Sequence, residues 1–188
     1  MTAHYPILAA ISVTSSTEVD KLFATLSDGL VSRGLRVAGY LQRDAPDPGS
    51  CCSASYLQDV ASGKKRRITQ PLGNGSQGCR LDPGALAGAT AELLTQLENR
   101  PDFVILNRFG RGESEGRGFR PVIEAAYAMN IPVLTAVRER YQDSWRAFAA
   151  DMAVLLPQDH DTVNSWVQTV TAAPHVVPLR YETGGTAA

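Results

Sequence analysis

Lysine is scarce in this chain. Lys21, Lys64 and Lys65 are the whole complement, and the rest of the 18 basic residues are arginine. A high-GC genome accounts for such a bias more readily than chemistry does, yet arginine is also the better fork for planar or tetrahedral oxyanions. Cysteine is scarce too. Cys51, Cys52 and Cys79 make an odd count with one adjacent pair, which excludes a disulfide framework. The histidines, His4, His160 and His175, show no metal-ligand spacing, and no third ligand stands beside Cys51–Cys52. No metal site is therefore expected, and no nucleophile–His–acid set is legible. An excess of either charge is missing as well. The net charge of −1 supplies no global field for nucleic acid or an anionic membrane. No apolar run reaches transmembrane length, and Met1–Pro6 lacks the basic start of a signal peptide. The expectation is a cytoplasmic chain with no membrane insertion.

What is present is an ordinary globular mixture, 44% hydrophobic and 20% charged over 188 residues, enough to bury one core without staples. Residues 1–173 read as a single α/β domain and 174–188 as a tail. "YPILAAISV" (5–13) is a nearly continuous apolar run, the mark of a buried parallel strand. After "TSST", Val19, Leu22, Phe23, Leu26, Leu30 and Val31 recur at helical spacing until Gly34. Residues 35–43 give a second strand, and 53–60 with 66–72 read as a hairpin. Asp82 and Pro83 open a helix to about Glu98. "DFVILN" (102–107), "IPVLTAV" (131–137) and "AVLLP" (153–157) are further strands. Helices are expected over 121–129, 138–152 and 161–172. Alternating strands and helices predict a three-layer α/β/α sandwich around a mainly parallel sheet, with ligands at the carboxyl ends of the strands.

Three segments carry candidate chemistry. In "GNGSQGCRLDP" (73–83), Ser76, Gln77, Gly78, Cys79 and Arg80 could cradle an oxyanion, with glycine-freed amides, an arginine fork and a helix start. Cys79 reads either as an activated thiol or as a small buried hydrophobe. In "RFGRGESEGRGFRP" (108–121), Arg108, Gly110, Arg111 and Arg117, next to the strand-end residue Asn107, read as an arginine-bearing lid that clamps an anion. The same residues also fit a solvated loop with internal ion pairs, or a homo-oligomer interface. Thr14, Ser15 and Ser16 sit at the first strand–helix turn, where a helix cap is the first reading and a weak anion site the second.

The stretches "RGLRVAGYLQ", "YLQDVASGKKRRI", "DFVILNRFGRGESEGRGF" and "PVLTAVRER" resemble the P-loop nucleoside-triphosphatase superfamily. Its nearest branches are the small archaeal-type nucleoside-triphosphatases and the adaptor of molybdopterin-guanine dinucleotide synthesis. More closely, "GSQGCRLDPGALA", "NRFGRGESEGRGFR" and "IPVLTAVRERYQDSWRAFA" resemble an uncharacterised bacterial family. Its members are often encoded beside molybdate-transport genes and are sometimes labelled transporter ATP-binding subunits. That resemblance implies a P-loop-like sandwich, a ligand that is molybdate, another tetrahedral oxyanion or a nucleotide, and a molybdate-transport or cofactor-synthesis protein as partner.

The departures are specific. A working phosphate loop is G-x-x-x-x-G-K-[ST], whereas "TSSTEVDK" holds no glycine and Lys21 is followed by Leu22. Asn107 stands where relatives place a Mg²⁺-anchoring carboxylate. The phosphate loop is degenerate, and nucleotide hydrolysis is not expected. The first expectation is a non-hydrolytic oxyanion- or nucleotide-binding protein. The alternatives are a divergent nucleotide phosphohydrolase or transferase, with Glu113 or Glu115 as the acid, and a protein-interaction module.

Overall fold

The computed structural model describes residues 6–47, 53–70 and 81–172. A seven-stranded sheet runs in the order β4-β3-β2-β5-β6-β1-β7. Its strands are β1 (Leu8–Val13), β2 (Val37–Ala45), β3 (Ala54–Asp59), β4 (Lys65–Arg67), β5 (Phe103–Leu106), β6 (Val133–Arg138) and β7 (Ala153–Leu156). From β2 through β5, β6 and β1 to β7 every pairing is parallel, and only the β3–β4 hairpin is added antiparallel. The helices are α1 (Ser16–Ser32), α2 (Pro83–Glu98), α3 (Arg111–Ser114), α4 (Arg120–Ala128), α5 (Gln142–Ala149) and α6 (His160–Ala172).

The strands read as apolar runs because both faces of the sheet are covered. Ala9, Ile11, Phe103, Ile105, Leu134 and Ala136 point to one layer, where they meet Phe23 and Leu30 of α1 and Val163 and Trp166 of α6. Their alternates Leu8, Ala10, Val104, Leu106, Val133 and Val137 point to the other, against Leu93 of α2, Val122 and Ile123 of α4 and Trp145 of α5. Each large side chain removed from water in these layers is worth about 1.5–3 kcal/mol. The expected three-layer α/β/α sandwich is the architecture observed.

Local sequence sets the element boundaries. Ser15 caps α1, its hydroxyl accepting from Glu18 N, and Asp82 caps α2 by accepting from Gly84 N at 2.9 Å and Ala85 N at 3.0 Å. Gly39 lies in β2 at φ +134°, and a Cβ there would stand 1.9 Å from the Ile105 carbonyl oxygen of β5. Only glycine lets those two strands approach so closely.

Two expectations change. The 108–121 segment is not an extended loop, since α3 and the start of α4 organise it. Arg138 does not open a helix: it ends β6, and a 3₁₀ turn over Glu139–Tyr141 precedes α5. Of the strand expected over 66–72, the described part through Gln70 holds the ladder Lys65–Arg67 and an isolated bridge between Thr69 and Leu81, and Pro71 and Leu72 lie outside the described residues. No helix among the described residues is long and apolar enough to cross a membrane.

Candidate functional site

The order of the strands places a crevice. From β1 the chain passes through α1 to reach β2, whereas from the neighbouring β6 it passes through α5, on the other face, to reach β7. Adjacent parallel strands that send their chains to opposite faces part at their carboxyl ends, which is where α/β sheets take ligands. Val13 of β1 and Arg138 of β6 face each other in register at that point.

Residues from five segments meet there. Arg138 donates from Nη2 to Ser16 Oγ at 2.8 Å. Arg108, just beyond β5, donates from Nη2 to Asp20 Oδ1 and Oδ2 of α1 at 3.3 and 3.2 Å. Asn107 Nδ2 lies 3.4 Å from Asp20 Oδ1. Gln158, which follows β7, closes the far side. Its Oε1 accepts from Thr14 N at 2.8 Å, Ser15 N at 3.1 Å and Thr14 Oγ1 at 3.1 Å, and its Nε2 donates to Ser15 O at 3.0 Å.

The electrostatics of the crevice are unbalanced. Burial holds the Arg138 guanidinium below its ordinary pKa, and the cations of Arg108 and Arg140 push in the same direction, with Tyr141 and Asp20 opposing. Arg108 and Arg138 therefore share one nearby carboxylate, Asp20, and keep a surplus of positive charge in a partly desolvated place. Two polar atoms in the cluster, Asn107 Oδ1 and Arg108 Nε, are buried without a hydrogen-bond partner among the described residues. Buried groups left unsatisfied in this way cost stability unless something joins them. Of the two, Arg108 Nε is a donor that a compact anion can meet by a charge-assisted hydrogen bond, whereas Asn107 Oδ1 is an acceptor and calls for a donor.

The segment expected to form an arginine lid is built otherwise. Glu113 is buried and accepts from Gly110 N and from Phe119 N, each at 2.9 Å. Gly118, at φ +61°, leaves the room, because a Cβ there would sit 2.2 Å from Glu113 Oε1. A carboxylate at the centre thus folds the loop upon itself, and Thr90 of α2 donates to Gly118 O at 3.1 Å to anchor it. Arg111 and Arg117 both bond Glu115, and their side chains are 80% and 74% exposed. Those bonds, Arg111's first, hold the Glu115 carboxyl below the usual range. Arg120 pairs with Glu124 and lies 4.7 Å over the Phe148 ring. These arginines are partnered on the outside of the loop.

Thr14, Ser15, Ser16, Asn107 and Arg108 are therefore brought together, while Gly110, Arg111 and Arg117 belong to the neighbouring loop. Ser76, Gln77, Gly78, Cys79 and Arg80 lie outside the described residues, as do Cys51 and Cys52. The bridge that flanks the 71–80 segment, Thr69–Leu81, extends the β4 edge, with β3 and β2 between it and β5. At the usual interstrand spacing that base stands about 14 Å from β5. Among the described residues no group of three or more His, Cys, Asp and Glu is placed to hold a metal ion. Asp20, Arg138 and Gln158 were not singled out from the sequence. Arg138 had one signal, its place at the head of the polar "RERYQDS" segment at the carboxyl edge, and Asp20 and Gln158 had none.

One relative shares this sequence region and one solved structure shares this fold. The "Molybdenum import ATP-binding protein ModC 2" of Bradyrhizobium diazoefficiens is 32% identical over 159 residues, which cover 85% of this chain but only 18% of that protein. The crystal structure of THEP1 from the hyperthermophile Aquifex aeolicus superposes with a TM-score of 0.55 at 13% identity, covering 87% of this chain and 95% of that one. At that identity the likeness is one of fold alone. The profile of one family spans residues 8–166, and the chain belongs to that family, described as "Protein of unknown function (DUF2478)".

Proposed function

We propose that this protein is a non-hydrolytic binding protein for a compact oxyanion, molybdate or another tetrahedral dianion, or for a phosphate group of a nucleotide. The receptor is the crevice of Ser16, Asn107, Arg108 and Arg138. The observation that carries this reading is geometric: Arg138, on Ser16 at 2.8 Å, and Arg108, on Asp20, converge at the carboxyl ends of β5 and β6, and Arg108 Nε has no hydrogen-bond partner among the described residues. An anion bound there meets donors already in position.

Hydrolysis has little support. Phosphoryl transfer needs loop amides and a lysine around the phosphates and a carboxylate for Mg²⁺. Here the turn amides of Thr14 and Ser15 are bonded to Gln158, no lysine follows them in the turn, and Asn107 ends the strand. The molybdenum-import protein that shares this sequence region suggests tetrahedral oxyanions first and a role beside an import ATP-binding protein second. Because the chain matches only a small part of that protein, both are proposals for this one.

Calorimetry of the full chain with molybdate, tungstate, sulfate, phosphate and nucleotides is the test. Micromolar or tighter binding of at least one, lost in Arg138→Ala, is the expected result. No binding at millimolar ligand overturns the reading. A divergent phosphohydrolase has one observation in its favour, the Asp20 carboxylate beside Asn107. Phosphate release from nucleoside triphosphates with Mg²⁺, abolished in Asp20→Asn, would establish that alternative.

A further inference from the structure

The most unusual contact in the crevice is made by Gln158. Its carbonyl oxygen takes two successive backbone N–H groups and a hydroxyl at the mouth of α1, while its amide nitrogen returns a bond to Ser15 O. Successive amides at a strand–helix turn are the donors that receive an anionic oxygen in phosphate-binding folds. Here a neutral side-chain carbonyl holds that place. Its backbone is well anchored, because the next residue, Asp159, accepts from Thr162 N at 2.8 Å and Thr162 Oγ1 at 2.6 Å to open α6. A tethered group of this kind acts at high effective concentration against any competing ligand.

A second feature shows that the crevice beside it is still equipped to receive something. Asn107 is 5% exposed, its carboxamide is turned toward α1, and Oδ1 has no partner among the described residues. Next to it Arg108 Nε is also unpartnered, and of the two atoms it alone is a donor that an anion can meet. Ser16, which receives the Arg138 fork, immediately follows the turn filled by Gln158. The turn half of the crevice is thus filled by Gln158, and the arginine half, in this reading the half left open to a ligand, keeps the unpartnered Arg108 donor.

We propose that Gln158 is a built-in occupant of the β1–α1 turn and sets the size of the anion this protein accepts: one tetrahedral group against Arg108 and Arg138, not a phosphate chain running along the turn. The inference deepens the oxyanion-binding reading and rests on it for the identity of the open half. A single oxyanion needs no donor from the turn. The second phosphate of a chain does, and must displace a carbonyl already held by three donors. An ionised oxygen makes stronger bonds to those donors than a carbonyl does, so removal of Gln158 converts a closed position into an attractive one.

The experiment compares inorganic phosphate with pyrophosphate by calorimetry on the full chain, as wild type, Gln158→Ala and Gln158→Glu. Wild type is expected to bind phosphate more tightly than pyrophosphate. Gln158→Ala is expected to tighten pyrophosphate by at least about tenfold with little change for phosphate. Gln158→Glu keeps an acceptor in the turn and adds a negative charge, so no tightening is expected. Gln158→Asn, which withdraws the amide by one methylene, serves if the alanine variant does not fold. A folded Gln158→Ala or Gln158→Asn protein with wild-type pyrophosphate affinity overturns the inference. If wild type binds no single oxyanion and Gln158→Ala still gains pyrophosphate, the filled turn stands and the oxyanion-binding function falls.

Discussion

Arg108 and Arg111 are three residues apart in one glycine-rich segment, yet they live in different surroundings. Arg108 is drawn inward beside Asn107 and shares Asp20 with the neighbourhood of Arg138, its side chain 23% exposed. Arg111 is 80% exposed and pairs with Glu115, as Arg117 does. Charge count is the same for both sets, but desolvation is not. An exposed pair gains little because water already solvates each partner. A partly buried guanidinium with too few counter-charges retains an unmet demand for an anion. The same residue type is a surface fixture in one set and, in the proposed function, a receptor in the other, and the divide is the fold of Glu113 beneath the loop.

The comparison is broken most severely at Glu113. Glu113→Ala strips the acceptor from the Gly110 and Phe119 amides and is expected to cost about 2–4 kcal/mol, since it removes two charge-assisted bonds from buried donors. Urea unfolding measures it, and a loss under about 0.5 kcal/mol would show that the loop needs no central carboxylate. Next comes Arg138→Ala, for which oxyanion affinity is expected to fall by at least tenfold, about 1.4 kcal/mol, with the melting transition kept. Unchanged affinity in calorimetry would move the receptor elsewhere.

Asp20→Asn sharpens the comparison because its two effects have opposite signs. It removes the carboxylate that Arg108 bonds. Stability is expected to drop by about 1 kcal/mol while oxyanion affinity rises several-fold, as the ligand replaces the lost charge. A variant weakened in both respects would make Asp20 a ligand-positioning group. The smallest effects are expected at Arg111→Ala and Arg117→Ala, each within about 0.5 kcal/mol for stability and without change in affinity. A clear loss of affinity in either would restore the lid that the sequence suggested.

The α/β sandwich was legible because its signals are local and strong. Buried parallel strands appear as unbroken runs such as "FVIL", and Asp82–Pro83 marks a helix start by its chemistry alone. The hairpin was legible in kind, and Ile68 prolongs its apolar pattern past the ladder that ends at Arg67. The site was half legible. Thr14, Ser15, Ser16, Asn107 and Arg108 sit at strand ends, and the rule for α/β sheets points there. Asp20 looked like any polar residue on an amphipathic helix, since its partners Asn107 and Arg108 come from β5 and its end. Gln158 lies in a turn-like "PQDHD" stretch, and its role depends on β7 pairing with β1 to bring it over Thr14. Such contacts join residues 87 to 144 positions apart and leave no periodicity to read. Arg111 and Arg117 read as part of an open lid because of glycine density, whereas Gly118 leaves room for the Glu113 carboxylate and both arginines pair with Glu115.

The aromatic packing beneath the crevice has an optical consequence. Trp145 lies edge-on to Phe109, centroids 5.2 Å apart, and Phe109 directly follows Arg108. Trp166 is in the opposite helical layer, against Phe103, with its indole N–H on the Pro6 carbonyl oxygen. The chain holds 2 tryptophans, so Trp166→Phe leaves a single tryptophan, packed on Phe109 beside the proposed anion site. Its emission would report titration of a colourless anion in real time, without a label.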